Sequence, residues 1–217
     1  MDVTAMITHI PENLCRLHDR IAGAVLDSGR APDSVTLIAV SKFHPEESVR
    51  EALKCGHRVF GENRVQEAQV KFAGLRAEYP DVELHLIGPL QTNKAEDAVK
   101  LFDVIQTLDR PNLAEAIAKA IRKTGRTPRL YVEVNIGHEP QKAGIAPDKL
   151  DEFLKFCSGC GLKISGLMCI PPHDLPPEPF FKTMRELADH HHLPNLSMGM
   201  SADFESAIRH GATEVRV

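Results

Sequence analysis

Eight short apolar runs, each divided from the next by a stretch with helical spacing, predict an α/β chain folded as a (β/α)8 barrel of parallel strands preceded by an N-terminal helix. Three observations carry this expectation. Strict alternation of strand and helix implies parallel strands joined by right-handed crossovers. Eight such strands suit a closed TIM-type barrel better than an open sheet. The pattern begins with a helix and stops in a strand, so the first helix takes the place that an eighth would fill. No linker-like or low-complexity segment divides the 217 residues, and residues 1–217 read as a single domain.

The elements follow in order. Residues 5–28 place Ile7, Ile10, Leu14, Leu17, Ile21 and Val25 three and four apart, the mark of an amphipathic helix, with Gly29 as its stop. Residues 37–41 form a buried run closed by Lys42, and Pro45 opens a helix with Glu46 and Glu47 in its first turn. Strand 58–61 and helix 63–77 come next, then strand 84–87 and helix 92–101. Strand 104–107 precedes a helix capped by Asp109, which carries Leu113, Ile117 and Ile121 and stops near Gly125. Strand 130–135, helix 147–157, strand 164–169 and helix 178–190 continue the alternation. Strand 196–199, a helix over 202–210 capped by Ser201, and strand 214–217 complete it.

Composition narrows the function classes. The chain is 42% apolar and 26% charged, the balance of a packed globular core. Its net charge of −4 gives no basic excess to attract nucleic acid or an anionic membrane. No basic region followed by an apolar run marks a signal peptide at the N-terminus, and no apolar run approaches the ~20 residues that span a bilayer. Five cysteines, of which only Cys157 and Cys160 lie close, fit a reducing cytoplasm rather than a disulfide scaffold. Cys157 and Cys160 end a helix instead of opening one, and no second such pair is present to hold a metal. His190, His191 and His192 read as a polar helix end, because adjacent helical residues do not share a face.

A parallel barrel places its chemistry at the C-terminal ends of its strands. Those ends carry Lys42, Asn63, Gly88, Thr107, Asn135, Met168, Cys169, Ser201 and Arg216. Lys42 stands out. A lysine closing a buried run is partly desolvated, and desolvation favours the neutral, nucleophilic amine that a Schiff base requires. Each of the others is also an ordinary cap or turn residue, but together they collect polar groups around one lysine. Ser201 and the N–H groups after it suggest an anion site, with Arg216 on the neighbouring strand. A carbonyl compound bearing a phosphate, such as pyridoxal phosphate, would bridge these groups to Lys42.

These residues carry a resemblance. The chain resembles the pyridoxal phosphate homeostasis proteins, the alanine-racemase-N-terminal-like family, over roughly residues 36–217. The matching stretches are Ala39-Val-Ser-Lys42, Phe60-Gly-Glu-Asn-Arg-Val-Gln-Glu67 and Leu86-Ile-Gly-Pro-Leu-Gln-Thr-Asn-Lys94. They continue through Val134-Asn-Ile-Gly-His-Glu139, Lys142-Ala-Gly144, Gly166-Leu-Met-Cys-Ile-Pro-Pro172, Leu196-Ser-Met-Gly-Met-Ser201 and Val215-Arg216. The resemblance implies that Lys42 carries pyridoxal phosphate and that Asn63 lies near it. It implies that Met200 and Ser201 line the ring and phosphate side, and that Arg216 opens the phosphate loop. It also implies cytoplasmic cofactor holding and transfer to acceptor enzymes, without robust catalysis, by a monomer or weak dimer. The family's Gly and Thr or Ser after the arginine are absent past Val217, which weakens the expected phosphate cup. Arg64 and the Phe43-His44 pair also depart from the family pattern.

The competing enzyme reading is an amino-acid racemase working on the same cofactor. A racemase needs an acid/base group on each face of its substrate. Tyr79, ahead of Pro80 in a loop, and Tyr131, near the start of a strand, are poorly placed for that task. A cofactor-free phosphosugar barrel would share the lysine and serine pattern but not the ordered motifs.

Overall fold

The computed structural model describes residues 9–217. The strands are β1 Thr36–Val40, β2 Val59–Glu62, β3 Glu83–Leu86, β4 Val104–Leu108, β5 Arg129–Val134, β6 Ile164–Cys169, β7 Asn195–Ser197 and β8 Glu214–Arg216. All pair in parallel with their sequence neighbours, and β8 pairs with β1, closing the barrel. The helices are α1 Ile10–Asp27, α2 Glu46–Lys54, α3 Val65–Glu78, α4 Ala95–Leu101, α5 Pro111–Thr124, α6 Leu150–Gly159, α7 Glu178–His190 and α8 Phe204–Arg209. The (β/α)8 architecture expected from the alternation is the one observed.

The first helix completes the ring. It buries Leu14, Ile21, Ala24 and Val25 and packs between α2 and α8. Arg20 ties it to α8, donating from Nε to Glu205 Oε1 at 2.7 Å while its guanidinium sits 4.5 Å over the Phe204 ring. Residues 5–8 of the expected helix lie outside the described residues.

Side chains alternate across each strand, so one face packs under the helices and the other fills the barrel. On β2, Phe60 faces the helices and packs against Phe72 of α3, with ring centroids 5.8 Å apart. Gly61 faces inward: a Cβ there would come within 2.9 Å of both Ile38 Cγ2 and Ile87 Cδ1. The inner wall is therefore too crowded at that level for any side chain on β2.

Helix starts differ from expectation at three places. Asn63 precedes α3 without capping it; Arg64 occupies the cap position, with extended backbone and no side-chain bond. Asp109 also makes no cap, because Pro111 at the first helical positions sets the start of α5 and puts Arg110 before it. Ser201 lies in a turn, and α8 begins only at Phe204. There Asp203 supplies the local acceptor, taking the Met200 N–H at 2.6 Å. Helices 92–101 and 147–157 each open with a 3-10 turn, Thr92–Lys94 and Pro147–Lys149.

Phe72 is fully buried where α3 meets β2. Its replacement by alanine leaves a cavity that the rigid sheet cannot close, and should cost about 3–5 kcal/mol. Urea unfolding at constant m-value would show this as a lowered midpoint.

Candidate functional site

Lys42 sits immediately beyond β1, half-buried. The ladder continues past the strand, since Ser41 N–H bonds Gly61 O at 3.0 Å. The Ser41 hydroxyl turns toward the helices and donates to Glu62 Oε1 at 2.7 Å. Alternation then turns the next residue, Lys42, toward the barrel mouth. Among the described residues, Lys42 has no carboxylate partner.

A second lysine lies close by in very different surroundings. Lys71 on α3 is buried and donates to Ser41 O at 2.7 Å, Glu62 Oε1 at 2.7 Å and Glu67 Oε1 at 3.2 Å. Those contacts use all three hydrogens of an ammonium. Lys42 makes no such contacts among the described residues. Glu67 also accepts the Phe43 N–H at 2.9 Å, and this bond, together with Lys71, holds its carboxyl below the ordinary carboxylate range.

Arg216 is 4% exposed and points into the barrel. Its Nη1 donates to Ser197 Oγ at 2.7 Å and its Nη2 to Cys169 O at 2.8 Å. Burial lowers its pKa from the ordinary arginine value. Below it runs a chain of polar side chains with determined direction. Ser197 donates to Gln106 Oε1 at 2.7 Å, and Gln106 Nε2 donates to Glu214 Oε2 at 2.7 Å and lies 2.9 Å from His85 Nδ1. An amide nitrogen only donates, so His85 Nδ1 accepts and its Nε2 carries the hydrogen toward Glu83 Oε1, 2.6 Å away. Arg129 closes the far end on Glu83. The Tyr131 hydroxyl donates to Glu214, and burial followed by the Glu214 charge raises its pKa well above the ordinary phenol value.

Glu133 lies two residues beyond Tyr131 on β5, on the same inward face and nearer the mouth. Burial, then the charge of Asp109, pushes its pKa up to about 7, with Arg216 acting in opposition. Burial likewise pushes the Cys157 thiol up to about 12, so it stays protonated at neutral pH.

The remaining expected site residues sit at the same end of the barrel. Asn63 is half-buried, and its loop touches the next one so closely that a Cβ on Gly88 would lie 2.5 Å from Asn63 O. The loop carrying Met200 is tied to β8 by Arg216 N–H donating to Gly199 O at 3.0 Å. Met200 is 37% exposed and Ser201 is exposed, and the Ser201 hydroxyl bonds no described residue. The expectation that Ser201 opens a helix and pairs with Arg216 as one anion cradle is corrected. Two turn residues, Ala202 and Asp203, separate Ser201 from α8, and both terminal nitrogens of Arg216 are engaged within the barrel. Sequence reading missed Lys71, Glu62 and the interior chain; only the Glu67-to-Lys71 spacing of four was a legible signal.

A separate cavity of about 570 Å³ opens between α1, β1 and α2. Leu37, Ala39 and Ser41 line it from the outward face of β1, so it lies behind the strand rather than in the barrel mouth.

Comparison with known proteins adds to this geometry. The family described as "Alanine racemase, N-terminal domain" matches residues 28–217. A pyridoxal phosphate homeostasis protein from Aquifex aeolicus is 42% identical over 216 residues, covering 95% of this chain and 94% of its own length. The Escherichia coli protein of the same name is 36% identical over 220 residues, covering 96% and 93%. The structure of PipY from Synechococcus elongatus with pyridoxal phosphate bound superposes with a TM-score of 0.78 at 41% identity, covering 91% of this chain and 97% of that one.

Because the Glu133 pKa is raised from 4.5 to about 7, the unfolded chain releases this proton first as pH rises. The stability associated with the group is complete below the unfolded value and is lost as pH climbs through the folded one. Glu133→Gln should match the wild type near about pH 4 and be more stable by about 1–3 kcal/mol near about pH 8. Urea unfolding at the two pH values measures the difference.

Proposed function

The chain belongs to the pyridoxal phosphate homeostasis protein family, and from that premise we propose that it binds pyridoxal phosphate at the barrel mouth, with Lys42 as the attaching amine. The observation that carries this reading is the contrast between the two neighbouring lysines. Lys71 is spent on two carboxylates and a carbonyl, while Lys42 is half-buried with no carboxylate partner among the described residues. When bound, pyridoxal phosphate supplies an aldehyde that an amine captures covalently.

The residues present fit such a group. Lys42 is an amine at the end of the first strand, and Asn63 and Ser201 offer polar side chains that bond no described residue. Arg216 supplies a fixed cation beneath the mouth. Lys42 attaches, Asn63 and Met200 line the group, and Ser201 donates to its phosphate. Arg216 sets a positive potential from below while its own orientation is held by Ser197 and Cys169 O. The groups are spread over the ends of β1, β2, β7 and β8, so closure of the barrel orients them relative to one another.

The role proposed is cofactor holding and transfer to acceptor enzymes in the cytoplasm, without robust catalysis. One observation supports the absence of racemase catalysis. Tyr131, one of two tyrosines in the chain, has its hydroxyl buried on Glu214 inside the barrel, out of reach of a substrate at the mouth. Among the described residues, no helix is long and apolar enough to cross a membrane. The competing racemase reading has one observation in its favour: Glu133, with its pKa at about 7, is suited to moving a proton near neutrality.

Incubation with pyridoxal phosphate, borohydride reduction and peptide mapping should place the adduct on Lys42. Lys42→Ala should lose the visible absorption band while keeping the far-ultraviolet circular dichroism of the barrel. An adduct on Lys71 or another lysine would overturn the assignment. Exchange of the Cα hydrogen of alanine in deuterated water, dependent on Glu133, would favour the racemase reading instead.

A further inference from the structure

We propose that Lys71, Glu62 and Glu67 form a clamp that positions Lys42 for cofactor capture, by fixing the two peptide units on either side of it. This rests on the reading of Lys42 as the attaching amine. Five contacts converge there. Lys71 Nζ holds the Ser41 carbonyl at 2.7 Å, and Glu62 Oε1 takes the Ser41 hydroxyl at 2.7 Å. Glu67 Oε1 takes the Phe43 N–H at 2.9 Å, and Lys71 joins the two carboxylates at 2.7 and 3.2 Å. The carbonyl before Lys42 and the amide after it are thereby tied to one ionic cluster shared by β2 and α3.

Packing alone gives no reason for such a cluster. The Glu62 side chain is 0% exposed and that of Lys71 7% exposed, and one Glu62 oxygen has no partner. Buried ion pairs of this kind are commonly no more stable than apolar side chains of the same volume. What this one supplies is direction. Phe43 has φ +64, a left-handed conformation that a bulky residue rarely adopts, and its ring remains 75% exposed. The turn at Lys42 is thus held in a strained form by hydrogen bonds from outside the loop, with no burial of the Phe43 ring to offset it.

The clamp also explains why two lysines so close together differ. Lys71 draws Glu62 and Glu67 to itself, and neither carboxylate pairs with Lys42. The positioning residues therefore act twice, once on backbone geometry and once by keeping carboxylates away from the reactive amine.

The test uses the full chain and pyridoxal phosphate, with the rate of covalent capture followed by stopped-flow absorption and the melting temperature recorded alongside. Glu67→Ala removes the acceptor for the Phe43 amide at a partly exposed position, and should slow capture about tenfold. Glu67→Gln keeps an acceptor oxygen and should restore most of the rate. Lys71→Met should slow capture further; if that variant does not fold, Glu67→Ala decides alone. A merely structural role would lower the melting temperature of Glu67→Ala and leave capture by the folded protein at the wild-type rate, which would overturn the clamp. A wild-type chain that captures the cofactor elsewhere than Lys42 would overturn the functional reading, and the clamp with it.

Discussion

Closure of the sheet at the seam between β8 and β1 is the constraint on which the rest depends. The parallel ladder that pairs Thr36, Leu37 and Ile38 with Glu214, Val215 and Arg216 makes it, flanked by Thr36 N–H to Thr213 O at 2.8 Å, Val217 N–H to Ile38 O at 3.1 Å and Val40 N–H to Val217 O at 2.7 Å. Without them β1 would be an edge strand with unpaired groups. With them, Lys42 beyond the end of the first strand and Arg216, buried below it on the last, are carried by directly paired strands. The register pairs Ile38 with Arg216, so the two functional ends are fixed relative to each other to within the rigidity of a hydrogen-bonded ladder.

The barrel interior is polar where an apolar filling would be expected. His85, Gln106, Tyr131, Ser197, Glu214 and Arg216 are all buried there and bonded to one another. A buried cation needs its charge met and its donors satisfied. Glu214 lies two residues before Arg216 on the same strand, and its carboxylate is held by Tyr131 and Gln106. Each hydrogen in the chain from Arg216 through Ser197 and Gln106 points the same way, so no member can rotate without leaving a buried partner unmet. This makes the floor of the site stiff while its rim, with Phe43, Met200 and Ser201 exposed, stays open.

The architecture was readable because its signal is repeated. Each strand is a short apolar run and each helix a period near four, and small errors at one boundary do not disturb the count. Lys42 was readable for a local reason, a cation closing a buried run. The helix starts were less so. Ser201 resembles a cap by type, but Asp203 stands two residues closer to the helix and takes the Met200 N–H. Asp109 loses its expected role to Pro111, whose fixed φ sets the first turn. The interior chain was invisible because its members lie on β3, β4, β5, β7 and β8, far apart in sequence, and each looks singly like an ordinary polar residue within a strand. Lys71 sits on a helix among other polar residues; only its reach to the Ser41 carbonyl on another element shows that it is buried.

The proposed site joins the first strand to the last, and this would order events during synthesis. A nascent chain that has emerged through the turn after β7 carries Lys42, Asn63, Met200 and Ser201, yet lacks Arg216 and the seam that closes the barrel. Such a chain has no assembled pocket, whatever helices it has formed. Ligand capture is therefore coupled to completion of the whole fold rather than to any part of it, and a ligand bound to the finished barrel lowers the free energy of every strand together. Only a closed molecule would bring Lys42 and Arg216 to bear on one ligand, so the proposed site would distinguish finished barrels from unfinished ones.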